Sequence, residues 1–310
     1  MRKVKIIKNI IFLVRIMDKT DLIILKKLME NSRVTYRELA EMIDMSVSYT
    51  HKRIKKLVDD EVIEAFTARP SAIALKYLSI LIFGTSKAKS MDALSKELGQ
   101  HESINFVGIA GAKSLSISAF LRDISELQEL SIYASKTAKI SEPTIGIINI
   151  PYTTLPEPLT GIDYKILKSL NRDSRKPVTD IADDVGLSTK TVRKRLDRMI
   201  ENKLVDFSIE WSEKAENNLT TAFHIHLKEG TDIDSTIQHI YKKYNQNVIA
   251  CLSFSNIPNF ITMYTWTKST QESQEIQEEL QTEGFKDIIP YIALSSDFYD
   301  CWIDQLLRTK

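Results

Sequence analysis

Residues 21–63 lie over residues 163–205 without a gap, at a constant offset of 142 positions. Eleven of the forty-three pairs are identical: Asp21/Asp163, Ile24/Ile166, Leu25/Leu167, Lys26/Lys168, Leu28/Leu170, Ser32/Ser174, Arg33/Arg175, Ala40/Ala182, Ser46/Ser188, Lys52/Lys194 and Arg53/Arg195. Most of the others keep their chemistry, as at Leu39/Ile181, Ile43/Val185, Ile54/Leu196 and Leu57/Met199. Chance is a poor explanation for this run. The chain contains an internal duplication, and what the first copy folds into the second must fold into as well.

The segment after each copy repeats more loosely. The first continues through "YLSILIFGTS" (77–86), a helical "SMDALSKELGQ" (90–100), strands around "INFVGIAG" and "SLSISAFL", a helical "ISELQELSIYASK" and a last strand in "PTIGIINI". The second runs "TAFHIHLK", "IDSTIQHIYKKY", "NVIACLSF", "FITMYTW", "QESQEIQEEL" and "FKDIIPYIAL". Both read βαββαβ from their apolar periodicities. That order favours an antiparallel four-stranded sheet with two helices on one face, the ferredoxin-like arrangement. Between the halves, "PYTTLPEPLTG" carries three prolines within eight residues and reads as a short stiff linker.

Within each duplicated stretch the signals are those of helix, turn, helix. Asp18 and Asp21 can cap "TDLIILKKLMEN", with Thr160 and Asp163 placed the same way in the second copy. "TYRELAEMI" opens with a capping-box spacing, Thr35 to Glu38. The turns "IDM" and "VGL" follow, where Gly186 supplies a left-handed residue and Asp44 substitutes for it. Ser46 and Ser188 then stand as N-caps of the basic helices 46–59 and 188–201.

Helical projection puts Val47, Thr50, Ile54, Leu57 and Val58 on the inward side of the first basic helix, and Thr189, Val192, Leu196, Met199 and Ile200 on that of the second. Opposite lie Ser48, Tyr49, Lys52 and Lys56, and Lys190, Thr191, Lys194 and Arg198, with Arg53 and Arg195 flanking. DNA fits such a face for two reasons. Lysine and arginine neutralise phosphates and release counterions, while hydroxyls and amines near the helix start reach base edges in the major groove. Ser48, Tyr49, Lys52, Lys190, Thr191 and Lys194 are the candidates for base readout; Lys56, Arg53, Arg195 and Arg198 are those for the backbone. A solvated cationic face is the plain alternative, and its recurrence in two copies, each behind a capped helix and turn, weighs against it. Arg33 and Arg175 occupy equivalent loop positions, suited either to phosphate or to tying down their own domain.

The stretches "DLIILKKLMENSRVTYRELAEMIDMSVSYTHKRIKKLVDDEVI" and "DYKILKSLNRDSRKPVTDIADDVGLSTKTVRKRLDRMIENKLV", each followed by βαββαβ, resemble the Lrp/AsnC (feast/famine) transcription regulators. The resemblance covers nearly the whole chain after residue 17, twice. It implies an α+β fold of two winged helix-turn-helix units (18–68 and 160–210), each followed by a ferredoxin-like, RAM-type sensing and assembly domain (69–150 and 211–310). A basic extension (1–17) and the Pro-rich linker (151–159) complete the chain. It also implies sequence-specific binding of double-stranded DNA in successive major grooves, an amino-acid-like effector near Gly108 and Gly111, homo-oligomers joined through the βαββαβ domains, and no cofactor or catalytic residue. Glu61 and Lys203 replace the glycine usual before the wing. "GIAGAKS" keeps the sensing glycines without their aspartate, and "FSNIPNF" keeps neither.

Other classes have weaker support. Siroheme decarboxylases resemble the same architecture, but the comparable segments here, "GIAGAKSLSISAF" and "CLSFSNIPNFITMYTW", have neither His nor Arg to grip a carboxylate-rich tetrapyrrole. A scaffold that uses only its sheets leaves the basic helices unexplained. His224 and His226 share a strand face, with His239 on the next helix, but no carboxylate or thiolate is spaced to complete a metal set, so half-buried strand histidines are expected. Two cysteines, Cys251 and Cys301, form no disulfide framework, which points to a reducing cytoplasm. The apolar "IIFLV" is interrupted by Arg15 without a cleavage site, and no stretch approaches the roughly 20 apolar residues of a membrane span. Met17 offers an alternative translation start. The net charge of +1 conceals the two locally basic helices.

Overall fold

A computed structural model of the chain describes residues 17–150, 158–211 and 219–310. Residues 1–16 of the basic extension and most of the Pro-rich linker lie outside the described residues. The first copy forms α1 (Lys19–Glu30), α2 (Tyr36–Met42) and α3 (Val47–Asp59), then strand β1 (Ile63–Pro70) and a single turn, α4 (Ala72–Leu75). The first sheet unit follows: β2 (Leu78–Thr85), α5 (Met91–Leu98), β3 (Ile104–Ala110), β4 (Ser114–Leu121), α6 (Leu127–Ala138) and β5 (Thr144–Ile147). The second copy gives α7 (Gly161–Leu170), α8 (Val178–Val185), α9 (Thr189–Glu201) and β6 (Val205–Trp211). Its sheet unit is β7 (Leu219–His226), α10 (Ile233–Lys243), β8 (Val248–Ser253), β9 (Phe260–Thr267), α11 (Thr270–Thr282) and β10 (Asp287–Phe298), closed by α12 (Trp302–Thr309).

Local chemistry sets the helix ends. Asp18 with Asp21, Thr35 with Glu38, and Thr160 with Asp163 form capping boxes at α1, α2 and α7, giving first-turn N–H groups the acceptors a helix start lacks. The turns before α3 and α9 are left-handed at Asp44 (φ 52°) and Gly186 (φ 66°). Glu61 and Lys203 also hold left-handed φ values of 56° and 54°. The wing turn therefore survives the loss of its glycine, at a cost of about 1 kcal/mol per site.

The two copies fold into each other. β1 and β6 pair antiparallel from Ala65↔Glu210 to Pro70↔Val205, making a two-stranded ribbon with one strand from each copy. Ile209 of β6 is buried in the core of the first helical unit with Leu22, Leu25, Leu39 and Ile54, and Ala68 of β1 in that of the second with Ile166, Leu170, Val192 and Leu196. Neither core is complete without the other copy's strand.

The sheet units carry strand orders β5-β2-β4-β3 and β10-β7-β9-β8, which is ferredoxin-like in both. They join through β3 and β10, paired from Phe106↔Phe298 to Ala110↔Ala293, into one eight-stranded sheet. The far edges also meet: Ile148 bridges Phe254, the Asn149 N–H donates to the Ser253 carbonyl at 2.9 Å, and the Ser255 N–H donates to the Ile147 carbonyl at 2.8 Å. Closure of this kind removes the exposed edges that invite unwanted strand pairing.

Strand alternation sorts the faces. Ile80, Ile82, Val107 and Ile117 pack outward beneath α5 and α6, and Phe223, Ile225, Ile261 and Met263 do so beneath α10 and α11. Between the sheets, Leu81 and Phe83 meet Phe254 and Phe260. His224 is half-buried there, 4.5 Å from the Phe83 ring and 4.6 Å from that of Tyr291. His226 is exposed, and His239 sits apart on α10, bonded to Glu283 at 2.9 Å. Burial, then the neighbouring His226, pushes His224 down to about 4.

The unfolded chain, whose histidine titrates near 6.5, takes up that proton first as pH falls, so the buried neutral His224 costs the fold nothing above that value and destabilises it increasingly down to about 4. Thermal and urea melts between those limits are expected to show roughly 2 kcal/mol of acid destabilisation that His224→Phe removes. An unaltered pH slope in the variant would assign it to other groups.

Candidate nucleic-acid interface

α3 and α9 begin alike. The Ser46 hydroxyl accepts from the Tyr49 N–H at 3.2 Å, and the Ser188 hydroxyl accepts from the Thr191 N–H at 3.1 Å. These serines fix where each helix starts, and the Thr191 hydroxyl is bonded to Ser188 as well, at 2.9 Å. Thr50, Ile54 and Leu57, and Val192, Leu196 and Met199, are the buried stripes. Val47, Val58, Thr189 and Ile200, read from the sequence as inward, are exposed, because only about three positions in each two turns of a short helix face its neighbours.

The outward residues divide into two sets. Ser48, Lys52, Lys56, Lys190 and Lys194 are exposed. Among the described residues no ion pair engages those four lysines. Arg53, Arg195 and Arg198 are turned elsewhere. Arg53 bonds Asp18 at 2.5 and 2.6 Å and Asp21 at 2.8 Å, and its Nε donates to the Tyr49 hydroxyl at 3.0 Å. Arg198 reaches the fully buried Asp163 at 2.7 Å, with Arg195 at 3.7 Å from the same carboxylate. The Arg53 guanidinium holds the Asp18 carboxyl down at about 2. These arginines clamp each reading helix to the first helix of its unit, and the phenol of Tyr49 is drawn into that clamp.

Position on the helix explains the division. At about 100° per residue, residues 49 and 53 and residues 191, 195 and 198 lie on the flank nearest α1 or α7, whereas Lys56, the counterpart of Arg198, shares that flank but stays exposed and makes no ion pair among the described residues. The far side instead carries Ser48, His51, Lys52 and Lys55, and Lys190, Arg193, Lys194 and Asp197. His51, Lys55 and Arg193 are exposed and were not among the sequence candidates, although the same helical projection places them on this side. Lys55 is paired with Asp59 at 2.9 Å. Acidic Asp59, Asp60 and Glu61, and Asp197 and Glu201, crowd the C-terminal ends, so a polyanion is favoured toward the N-terminal ends, where the helix dipole also attracts it.

The heads are held as a pair. Arg33 of the first copy donates to the backbone carbonyls of Ser174 and Lys176, and Arg175 of the second donates to those of Ser32 and Val34 at 2.6 and 3.0 Å. Arg175 also stacks over Tyr36 at 4.5 Å. Both guanidinium groups are half-buried and committed to the other copy, which leaves neither for phosphate.

A sequence model of winged helix-turn-helix DNA-binding domains matches residues 17–64, and one of AsnC-type helix-turn-helix domains matches residues 159–200. An uncharacterised HTH-type transcriptional regulator of Pyrococcus furiosus is 34% identical over 118 residues, spanning 37% of this chain and 80% of that protein. The chain belongs to the Lrp/AsnC family of helix-turn-helix transcriptional regulators. A second family relative, from Pyrococcus abyssi, is 36% identical over 89 residues, 28% of this chain and 60% of that protein. Since 118 residues make up 80% of the first relative and only 37% of this chain, that relative is less than half as long, and the present member of the family is its tandem form. The crystal structure of the siroheme decarboxylase NirDL superposes with a TM-score of 0.60 over 94% of this chain and 98% of that one, at 13% identity. At that identity the likeness is one of fold.

The division of the cations predicts opposite phenotypes for adjacent residues. Arg53→Ala should lower stability in urea by about 2 kcal/mol, because it strips Asp21, 1% exposed, of its guanidinium. Lys52→Ala should stay within about 0.5 kcal/mol of the parent. Equal losses would mean that Lys52 also has a structural role.

Proposed function

We propose that the chain reads double-stranded DNA with the N-terminal ends of α3 and α9 in successive major grooves, as a covalent pair of heads. Units 18–68 and 160–210 do the reading, and units 69–150 and 211–310 hold them. The observation that carries this reading is the pair of equivalent capped helices, each with exposed lysines on its outward side that no ion pair engages among the described residues, fixed to one another by the β1–β6 ribbon. An antiparallel pair of equivalent strands relates the heads by a local two-fold rotation, the symmetry that two half-sites on a duplex share. Ser48 and Lys52 on one head, and Lys190, Arg193 and Lys194 on the other, are the base-reaching residues; Lys56 is placed for the backbone. The heads differ in sequence, so the half-sites they prefer differ too.

The same reading makes the protein a regulator and not a decarboxylase. A uroporphyrin-type macrocycle carries many carboxylates and calls for cationic partners. The large cavity between the sheets is lined by no charged side chain, and His224 is neutral and packed among aromatic rings. A spectral titration with siroheme should show no band shift.

The deciding experiment selects bound duplexes from a random library and measures affinity by fluorescence anisotropy. With about four phosphate contacts, affinity should fall roughly 100-fold between about 50 and 200 mM salt. Lys52→Glu combined with Lys194→Glu should cost at least about 100-fold at the lower salt, and inserting about 5 base pairs between the half-sites should weaken binding more than inserting about 10. Undiminished binding by the double variant would overturn the assignment of α3 and α9.

A further inference from the structure

Both reading helices carry the same cap and the same lysine, Lys52 or Lys194, so what separates them lies at the other outward positions near their starts. Val47, Ser48 and His51 on α3 stand where α9 has Thr189, Lys190 and Arg193. All six side chains are exposed. Residues four apart share a side of a helix, so Val47 with His51, and Thr189 with Arg193, form one edge of each outward face, and the serine or lysine lies beside it.

That edge is apolar on the first head and cationic on the second. Val47 is 46% exposed, and Met45 in the turn before it, 45% exposed, lines the same shallow hollow. Their counterparts are Thr189 and a half-buried Leu187. An exposed valine beside an exposed methionine gains from any partner that offers apolar surface in return. His51 is drawn aside: its ring rests edge-on against Tyr36, with 4.8 Å between centroids, and Tyr36 in turn receives Arg175 of the other copy. Val178 takes the place of Tyr36 in the second copy. Among the described residues neither a ring nor an ion pair engages Arg193.

In the major groove these edges match different bases. Thymine alone presents a methyl group there, and guanine alone presents two neighbouring acceptors, O6 and N7. An apolar side chain gains by covering the methyl, whereas the fork of an arginine, or a lysine, takes both acceptors. We propose that the heads select unlike base pairs, α3 thymine-bearing ones through Val47 and α9 guanine-bearing ones through Lys190 and Arg193, so that the chain binds an asymmetric site in one orientation. This inference deepens the DNA-binding reading above and rests on it. Covalent linkage of the heads makes such a site readable by one chain, because the unlike half-sites are always met by the same unlike pair.

The test uses the full chain. Duplexes enriched from a random library should carry two unlike half-sites, one bearing thymine and the other guanine. The enriched duplex is then remade with deoxyuridine for thymine, or 7-deazaguanine for guanine, in one half-site at a time. Loss of the thymine methyl should weaken binding about threefold, and Val47→Ser should abolish that difference. Loss of the guanine N7 should cost about tenfold, and Arg193→Ala should abolish it. The triple variant Val47→Thr, Ser48→Lys, His51→Arg should enrich guanine in both half-sites. Two identical half-sites, indifference to deoxyuridine, or a methyl effect that persists in Val47→Ser overturns this inference alone. Failure to enrich any duplex overturns the DNA-binding reading and this inference with it. The base-analogue measurements on the unaltered protein decide the matter even where a variant melts below the parent.

Discussion

The exchange of arginines between the two copies is the contact on which the rest depends. Arg33 and Arg175 each cross to the other copy's loop carbonyls, and behind them Ser32 and Ser174, both fully buried, bond hydroxyl to hydroxyl. Burial, then the Arg175 cation close by, holds Arg33 below its ordinary value. Two like charges brought together out of water are tolerable only because carbonyl oxygens and aromatic faces receive both. Either arginine alone would leave its acceptors exposed in a seam closed on the other side. That reciprocity explains why the same residue stands at both positions.

From this clasp the remaining order follows. It fixes the α1–α2 loop against the ribbon, the Ser32 N–H donating to the Phe207 carbonyl and the Ser174 N–H to that of Phe66. The ribbon then completes both helical cores. At its far end Arg69 of β1 bonds Glu210 of β6 and Asp304 of α12, each at 2.8 Å. Burial works against that cation, but the two carboxylates outweigh it and hold Arg69 above its ordinary value. α12 in turn lends Leu307 to the core of the second head. The helix-turn-helix units are therefore positioned by buried ionic and main-chain contacts, not by the exposed lysines of α3 and α9.

What the sequence disclosed and what it concealed divide along the same line. Repeats, caps, turn residues and strand alternation are local properties, and the helices, both left-handed turns and both βαββαβ runs were legible from them. The direction of a side chain across the fold is not local. Arg33 and Arg175 looked like loop residues serving their own domain or phosphate, because an offset of 142 reveals equivalence and not mutual contact. Arg53, Arg195 and Arg198 counted as part of a cationic face until Asp21 and Asp163, buried at 1% and 0% exposure, were seen to need them. Capping-box aspartates that repeat beside an arginine-bearing flank were the available signal. The helix α12 carries only eight residues and no capping serine or threonine, and its amphipathic pattern acquires meaning only from the groove it fills.

Duplication within one chain also frees the heads from being alike. Identical subunits must place the same residues in both grooves, whereas here Lys190 faces Ser48 across the pseudo-two-fold axis and Arg193 faces His51. The heads differ in where their charge sits, since α9 adds basic residues near its start and offsets them with Asp197 and Glu201, and Thr191 is free of any arginine clamp of the kind that holds Tyr49. On the proposed reading, engagement of one head makes binding of the other an intramolecular event, at an effective concentration set by the ribbon rather than by the solution. Equal charge with unlike residues at equivalent positions lets the proposed half-sites differ in sequence while the sequence-independent attraction of the two heads stays comparable.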